Sequence, residues 1–221
     1  MNNMANLMPS WQAVARLGIK PARKAINPEI IRKLFLEYSP PGYQIDDDNK
    51  KLIGTLIGYF AGDPNFNRHG LVQNQANSSK GLYLYGSYGV GKSQLMAIFH
   101  QIGIKLYTDR KSDGMCFKST SALAVNQSYL DRANPTIQFD LASYHSGVIY
   151  FDDLGAESEV YGKDLLLQGI LQERERLRWR TFVSTNLTPG QFNDKYGERL
   201  GARLPDMYNL ISVKGPNRRS L

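Results

Sequence analysis

The chain has 221 residues, 42% of them hydrophobic and 21% charged, enough to bury one α/β-sized core plus a short appendage but not two large domains. No stretch approaches the roughly 20 apolar residues that span a bilayer, Met1-Asn2-Asn3-Met4-Ala5-Asn6 lacks the features of a secretion signal, and the lone Cys116 fits a reducing compartment, so a cytoplasmic protein with no membrane partner is expected. The formal charge of +7 is uneven: residues 1 to 40 carry +4 and residues 156 to 221 carry +3, which favours an anionic polymer or acidic partner at the ends, unless it is a plain surplus of surface lysine and arginine.

Residues 1 to 27 have weak periodicity and mix Pro9, Gly18 and Pro21 with Arg16, Lys20, Arg23 and Lys24, as a basic partner-binding arm or a disordered leader would. Asn27-Pro28-Glu29 can cap a helix through Ile30 and Phe35 that Pro40-Pro41-Gly42 stops. A second helix is predicted from Asp48 to Phe60, with Leu52, Ile53, Leu56, Ile57 and Phe60 on one core-facing stripe. Gly62 to Lys80 reads as loop, so residues 28 to 80 form a helical extension ahead of a main domain at 81 to 221. In that domain the predicted strands are Gly81 to Tyr85, Met115 to Lys118, Val148 to Phe151 and Thr181 to Thr185. Helices are predicted at Gln94 to His100, Ala122 to Arg132 and Asp164 to Arg178. This alternation predicts an α/β fold, a mostly parallel sheet covered by helices on both faces.

The run Gly86-Ser87-Tyr88-Gly89-Val90-Gly91-Lys92-Ser93 sits between a strand and a helix, the context of a phosphate-binding loop. Its glycines let the backbone curl so that successive N–H groups, with those of Lys92, Ser93 and Gln94 at the helix start, face an anion. Lys92, read as facing the phosphates and lying outside the core, can reach the β- and γ-phosphates of ATP or ADP, and the Ser93 hydroxyl suits Mg²⁺. Asp152 and Asp153 end the next apolar strand, where an α/β sheet collects its ligands. Either they form a solvated turn, or Asp152 holds Mg²⁺ and Asp153 orients or deprotonates the attacking water. Asn186 ends the strand after that and is either a sensor between water and γ-phosphate or a cap for Thr188-Pro189-Gly190-Gln191.

Gly86-x-x-x-x-Gly91-Lys92-Ser93, Phe151-Asp152-Asp153-Leu154-Gly155, Ser184-Thr185-Asn186-Leu187 and Tyr196 to Leu204 occur in an order that resembles the AAA+ ATPases of the DnaC-type helicase-loader group. It is also similar to the IstB-type ATPases that assist transposases, and Val213-Lys214-Gly215-Pro216-Asn217-Arg218 resembles the group's ending. The resemblance, from about Gly81 to Arg219, implies a P-loop ATPase without a separate helical lid. It makes Lys92 and Ser93 the phosphate and Mg²⁺ ligands, Asp152 the metal-holding acid, Asp153 the catalytic acid and Asn186 the first sensor. Arg203 becomes the arginine finger that reaches a neighbour's ATP, with Arg199 as the alternative. Many AAA+ enzymes have glutamate where Asp153 stands, and the shorter side chain implies slower hydrolysis. Head-to-tail homo-oligomers, as rings or open helices on single-stranded DNA, follow from a finger in trans, and Tyr161 and Lys163 fall where related loaders place DNA contacts. The implied partner is a replicative helicase, or a transposase acting on duplex DNA. A protein-remodelling factor indifferent to DNA and a metabolic P-loop kinase are the readings from other classes.

Overall fold

Asn27 begins the first helix as its sequence asks: its Oδ1 accepts the Glu29 amide at 2.9 Å and Pro28 occupies the first turn. In the computed structural model, which describes residues 25–109, 114–134, 136, 139–157 and 166–218, this helix is α1 (Pro28–Tyr38). Helix α2 (Lys50–Ala61) ends at Gly62 with φ 79°, the left-handed conformation that glycine adopts freely. All five residues of its expected apolar stripe are buried. There follow β1 (Gly81–Tyr85), α3 (Lys92–Thr108), β2 (Lys118–Ser121), α4 (Ala122–Leu130) and a 3₁₀ turn (Asp131–Ala133). The chain continues through α5 (Ala142–His145), β3 (Ile149–Leu154), α6 (Leu166–Arg176), β4 (Thr181–Thr185), α7 (Pro189–Tyr196), α8 (Glu198–Met207) and β5 (Tyr208–Ser212).

The strands form one sheet in the order β2-β3-β4-β1-β5, with every adjacent pair parallel. Strand alternation then sorts the core into two layers. Leu82, Leu84, Tyr150, Phe182 and Ile211 face the layer that holds α1, α2 and α3, where Phe35, Phe60, Phe99 and Phe117 also pack. Tyr83, Ile149, Phe151 and Val183 face the opposite layer with Leu167, Phe192, Tyr196 and Leu204. The outer side of β5 is partly closed by an antiparallel bridge from Val72 to Ile211. No helix among the described residues is long and apolar enough to cross a membrane.

One predicted strand is displaced. Met115, Cys116 and Phe117 are buried, but pairing begins only at Lys118, opposite Ile149. Phe117 instead packs among Phe60, Tyr150 and Phe182, and Met115 O runs so close under α3 that a Cβ on Gly103 would sit 2.5 Å from it. The apolar run reported burial rather than pairing.

Arg174 is fully buried and supports the entry side of the sheet. Its Nε donates to Thr181 Oγ1 at 2.8 Å, Nη1 to Tyr144 O at 2.7 Å, and Nη2 to Gly147 O at 2.6 Å and Arg180 O at 2.9 Å. Burial without a carboxylate lowers its pKa to about 9, and the ring of acceptors is what retains the cation.

Candidate functional site

The phosphate loop leaves β1 at Gly86, whose φ of 155° comes with a close backbone contact: a Cβ there would lie 2.1 Å from Val213 O. At Gly89 the φ is 77° and a Cβ would meet Asn217 Oδ1 at 1.9 Å, so this turn favours glycine. Gly91 is the N-cap of α3 and supplies no side-chain cap, leaving the first amides of a 17-residue helix for an anion. Ser87 and Val90 complete the loop, and Tyr88 projects from it, 75% exposed. Lys92 differs from the sequence expectation. It is only 5% exposed, because its ammonium turns inward to donate to Gly86 O at 2.8 Å, Ser87 O at 2.9 Å and Asn186 Oδ1 at 2.9 Å.

That last contact brings the end of β4 to the loop. Thr188, not Asn186, caps α7, in a capping box with Gln191, so Asn186 faces the lysine. A cleft of about 210 Å³ is lined by Tyr88, Gly89, Gly91, Lys92, Ser93 and Gln94 from the loop and helix start, by Asp153 and Asn186 from the strand ends, and by Arg218.

The acid pair is shaped by an irregularity of the sheet. Pairing of β3 with β4 shifts between Phe151, opposite Val183, and Leu154, opposite Thr185, so Asp152 and Asp153 together oppose Ser184. Asp153 takes φ 50°, a left-handed conformation rare outside glycine, and lies against the cleft while Asp152 stays behind it. Ser184 bridges the bulge: its hydroxyl donates to Asp152 Oδ1 and accepts the Asp153 amide at 3.1 Å. The buried Tyr150 hydroxyl lies 2.6 Å from the same Oδ1 and 2.8 Å from Ser184 Oγ, and Ser93 adjoins it from the loop side. Burial, with the Asp152 charge beside it, keeps this phenol protonated far above neutral pH.

Ser93 and Asp152 therefore bring two oxygen donors beside one phenol. Among the described residues no three His, Cys, Asp or Glu side chains gather into a metal cluster. A single carboxylate and a hydroxyl, completed by phosphate oxygens and water, is a donor set that suits Mg²⁺.

Arg218 comes from the segment after β5. Its amide donates to Gly89 O at 2.8 Å, and its guanidinium grips Asp46 through bonds of 2.8 and 2.9 Å. Asp46 belongs to the connection between α1 and α2, so this pair joins the segment after β5 to the N-terminal helices beside the phosphate loop. The guanidinium holds the Asp46 carboxyl below its usual range, while burial pushes the nearby Tyr43 phenol up to about 12. Ser184, Tyr150 and the Asp46–Arg218 pair were not legible as site residues, since the Tyr150–Ser184, Ser184–Asp152 and Asp46–Arg218 contacts join positions remote in sequence. Arg199 and Arg203 lie elsewhere, on α8. Arg203 is exposed, 3.8 Å from Asp206, among residues that start β1 and β4, at the opposite end of the sheet from Lys92. Tyr161 and Lys163 lie outside the described residues, as does most of the basic arm.

No family model matches the chain. It is 30% identical over 161 residues to the replicative helicase loader DnaI of Bacillus subtilis (strain 168), a match covering 66% of this chain and 50% of that protein. The chain thus spans half the length of this relative. Among solved structures it is similar to DnaI, with a TM-score of 0.53 at 25% identity over 88% of this chain and 94% of the other. It is also similar to the DnaC helicase loader, with a TM-score of 0.53 at 20% identity over 82% and 99%, a likeness of fold. The resemblance to DnaC-type helicase loaders drawn from the motifs stands, as does the P-loop α/β fold.

Proposed function

We propose that this chain, which shares the AAA+ P-loop fold of the DnaC-type helicase loaders, binds and hydrolyses ATP with Mg²⁺, assembles on single-stranded DNA and loads or remodels a replicative helicase. The observation that carries the reading is the convergence of Lys92, Asn186, Ser93 and Asp153 on one cleft, with Asp152 directly behind. Phosphate oxygens would compete for the lysine with the carbonyls of Gly86 and Ser87 and meet the first amides of α3. Ser93 and Asp152 would hold Mg²⁺, which on binding offsets the charge of the β- and γ-phosphates. Asp153, thrown toward the cleft by the bulge, orients the water and accepts its proton, and Asn186 links that water to the γ-phosphate side. Arg203, at the far end of the sheet, serves a neighbour's nucleotide, with Arg199 on the same helix as the alternative. DNA contact is assigned to Tyr161, by stacking on a base, and to Lys163, by phosphate contact.

The test is reconstitution with the whole 221-residue chain, because α1 and α2 share the core of the sheet. Purified replicative helicase, this chain and circular single-stranded DNA are combined with ATP, and DNA-bound helicase is counted. Loading that needs this chain and disappears with Lys92→Ala supports the reading. Absence of any helicase association, or ATP affinity unchanged by Lys92→Ala, removes it.

A further inference from the structure

Among the described residues Glu157 is the one acidic residue that is buried, and its side chain is wholly withdrawn from solvent. It lies three residues beyond the exit end of β3, and the nucleotide chemistry derived above makes no use of it. A carboxylate taken out of water needs donors at both oxygens. Oε2 accepts the amide of Gly155 at 2.8 Å, and Oε1 accepts the hydroxyl of the fully buried Tyr196. The Lys195 ammonium stands 3.8 Å from Oε1 and donates to Gly155 O and Glu157 O, both at 2.8 Å. Burial, with the Glu157 charge beside it, keeps the Tyr196 phenol protonated, so it remains a donor.

These groups belong to two short stretches, the turn 153–157 and the last two residues of α7, Lys195 and Tyr196. The turn begins at Asp153, whose φ of 50° is costly for any residue but glycine and persists only where the surroundings over-determine it. On its near side the Ser184 hydroxyl accepts the Asp153 amide at 3.1 Å, and the Asp153 carbonyl accepts the Ala156 amide at 3.0 Å. On its far side three hydrogen bonds fasten the turn to the end of α7, and a fourth, from the Gly155 amide to the Glu157 carboxylate, stiffens it. The anchor is firm, because Tyr196 packs on Phe192 in the same core layer as Phe151 and Leu154.

We propose that Glu157 is a positioning residue for Asp153: by fastening the turn to Lys195 and Tyr196 it holds the Asp153 side chain against the cleft. Glu157 does not itself line the cleft, so it acts through the backbone and not on the reacting atoms. The inference rests on the reading of Asp153 as the acid that orients the attacking water.

Three variants of the whole chain test it. Glu157→Ala removes the tie, and Tyr196→Phe removes one donor while keeping the ring in the core. Glu157→Gln removes the charge but can keep both bonds, its oxygen accepting the Gly155 amide while its nitrogen donates to the Tyr196 oxygen. ATP turnover should fall about 10- to 100-fold in Glu157→Ala, the scale expected when a reacting group is misplaced by about 1 Å, and in the same direction in Tyr196→Phe. A fluorescent ATP analogue should bind each variant with wild-type affinity, so the loss falls on kcat and not on KM. Glu157→Gln should recover most of the lost turnover. The decisive combination is with Asp153→Asn: adding Glu157→Ala should leave its residual turnover unchanged while lowering the melting temperature as much as it does in wild type. Wild-type turnover in Glu157→Ala overturns the proposal, as does Glu157→Gln as impaired as Glu157→Ala. A further loss in the Asp153→Asn background also overturns it and leaves Glu157 a staple between α7 and β3. If Glu157→Ala fails to fold, Tyr196→Phe, alone and with Asp153→Asn, decides in the same way. A wild-type chain that does not turn over ATP removes the ATPase reading and the proposal with it, whereas wild-type turnover left intact by Glu157→Ala removes the proposal alone.

Discussion

Ser184 has one hydroxyl and serves both acids of the pair, donating to Asp152 and accepting the amide of Asp153. Beside it Tyr150 hydrogen-bonds Asp152 and adjoins Ser93, so the two oxygens proposed to hold Mg²⁺ are positioned by an uncharged phenol. Tyr150→Phe removes that tie with little change of volume. Because partners that orient metal ligands contribute about 10- to 100-fold in affinity, the Mg²⁺ needed for half-maximal binding of a fluorescent nucleotide should rise by about tenfold. Metal-free nucleotide binding should not change. Equal Mg²⁺ requirements in the two proteins would show that the phenol only fills space. Asp46→Ala tests the other side of the cleft. Asp46 holds Arg218 by two bonds, and removing this anion frees the guanidinium for phosphate, so nucleotide affinity should rise a few-fold, whereas Arg218→Ala should lower it. The Asp46 pKa is lowered on folding, so the clip contributes fully above the carboxylate's unfolded value of about 3.9 and is lost as pH falls below about 4. A nucleotide titration from pH 4 to 7 in which Asp46→Ala weakens binding throughout would reverse the assignment.

At the scale of elements, what could be read in advance depended on where each constraint resides. The phosphate loop was legible because its geometry is written into residue identity: Gly86 and Gly89 are positions where one extra carbon would strike Val213 O or Asn217 Oδ1. Helices α1 and α2 were legible from a cap and an apolar stripe. The placement of β2 was not, because burial of Met115 to Phe117 depends on what α2, α3 and β4 bring over them, and apolar residues look alike whether they pair or plug. The Asp152–Asp153 bulge was likewise invisible, since register belongs to two strands that lie about thirty residues apart, and Asp46 meets Arg218 across a sequence separation of 172. Arg174 shows the energetic side of such long-range assembly. It joins α6 to the Tyr144 and Gly147 carbonyls ahead of β3 and to the entry of β4. Arg174→Met fills much of the volume but leaves those acceptors buried without a donor. A loss of about 3 kcal/mol or more is expected in equilibrium urea unfolding. A change under about 1 kcal/mol would mean that water replaces the guanidinium without cost.

For the whole molecule, the exit ends of the strands hold the cleft proposed for nucleotide, and the entry ends hold a second cavity lined by Arg178 and Arg203. If assembly of copies completes the DNA-binding surface, binding to single strands should require ATP and weaken steeply with salt, because phosphate contacts dominate it. Fluorescence anisotropy with single- and double-stranded probes across a salt series measures both; a preference for duplex would favour transposase assistance over helicase loading. The packing of α2 against α3 has a mechanical consequence. A tether pulled from the N-terminal side loads the chain at Ile26, whose amide is anchored to Ala61 O at 3.0 Å. The next residue inward, Phe60, stacks on Phe99 with ring centroids 4.7 Å apart. Phe99 sits on the same rigid rod as Lys92. Tension on the tether is therefore delivered, within two contacts, to the shaft that carries the phosphate grip.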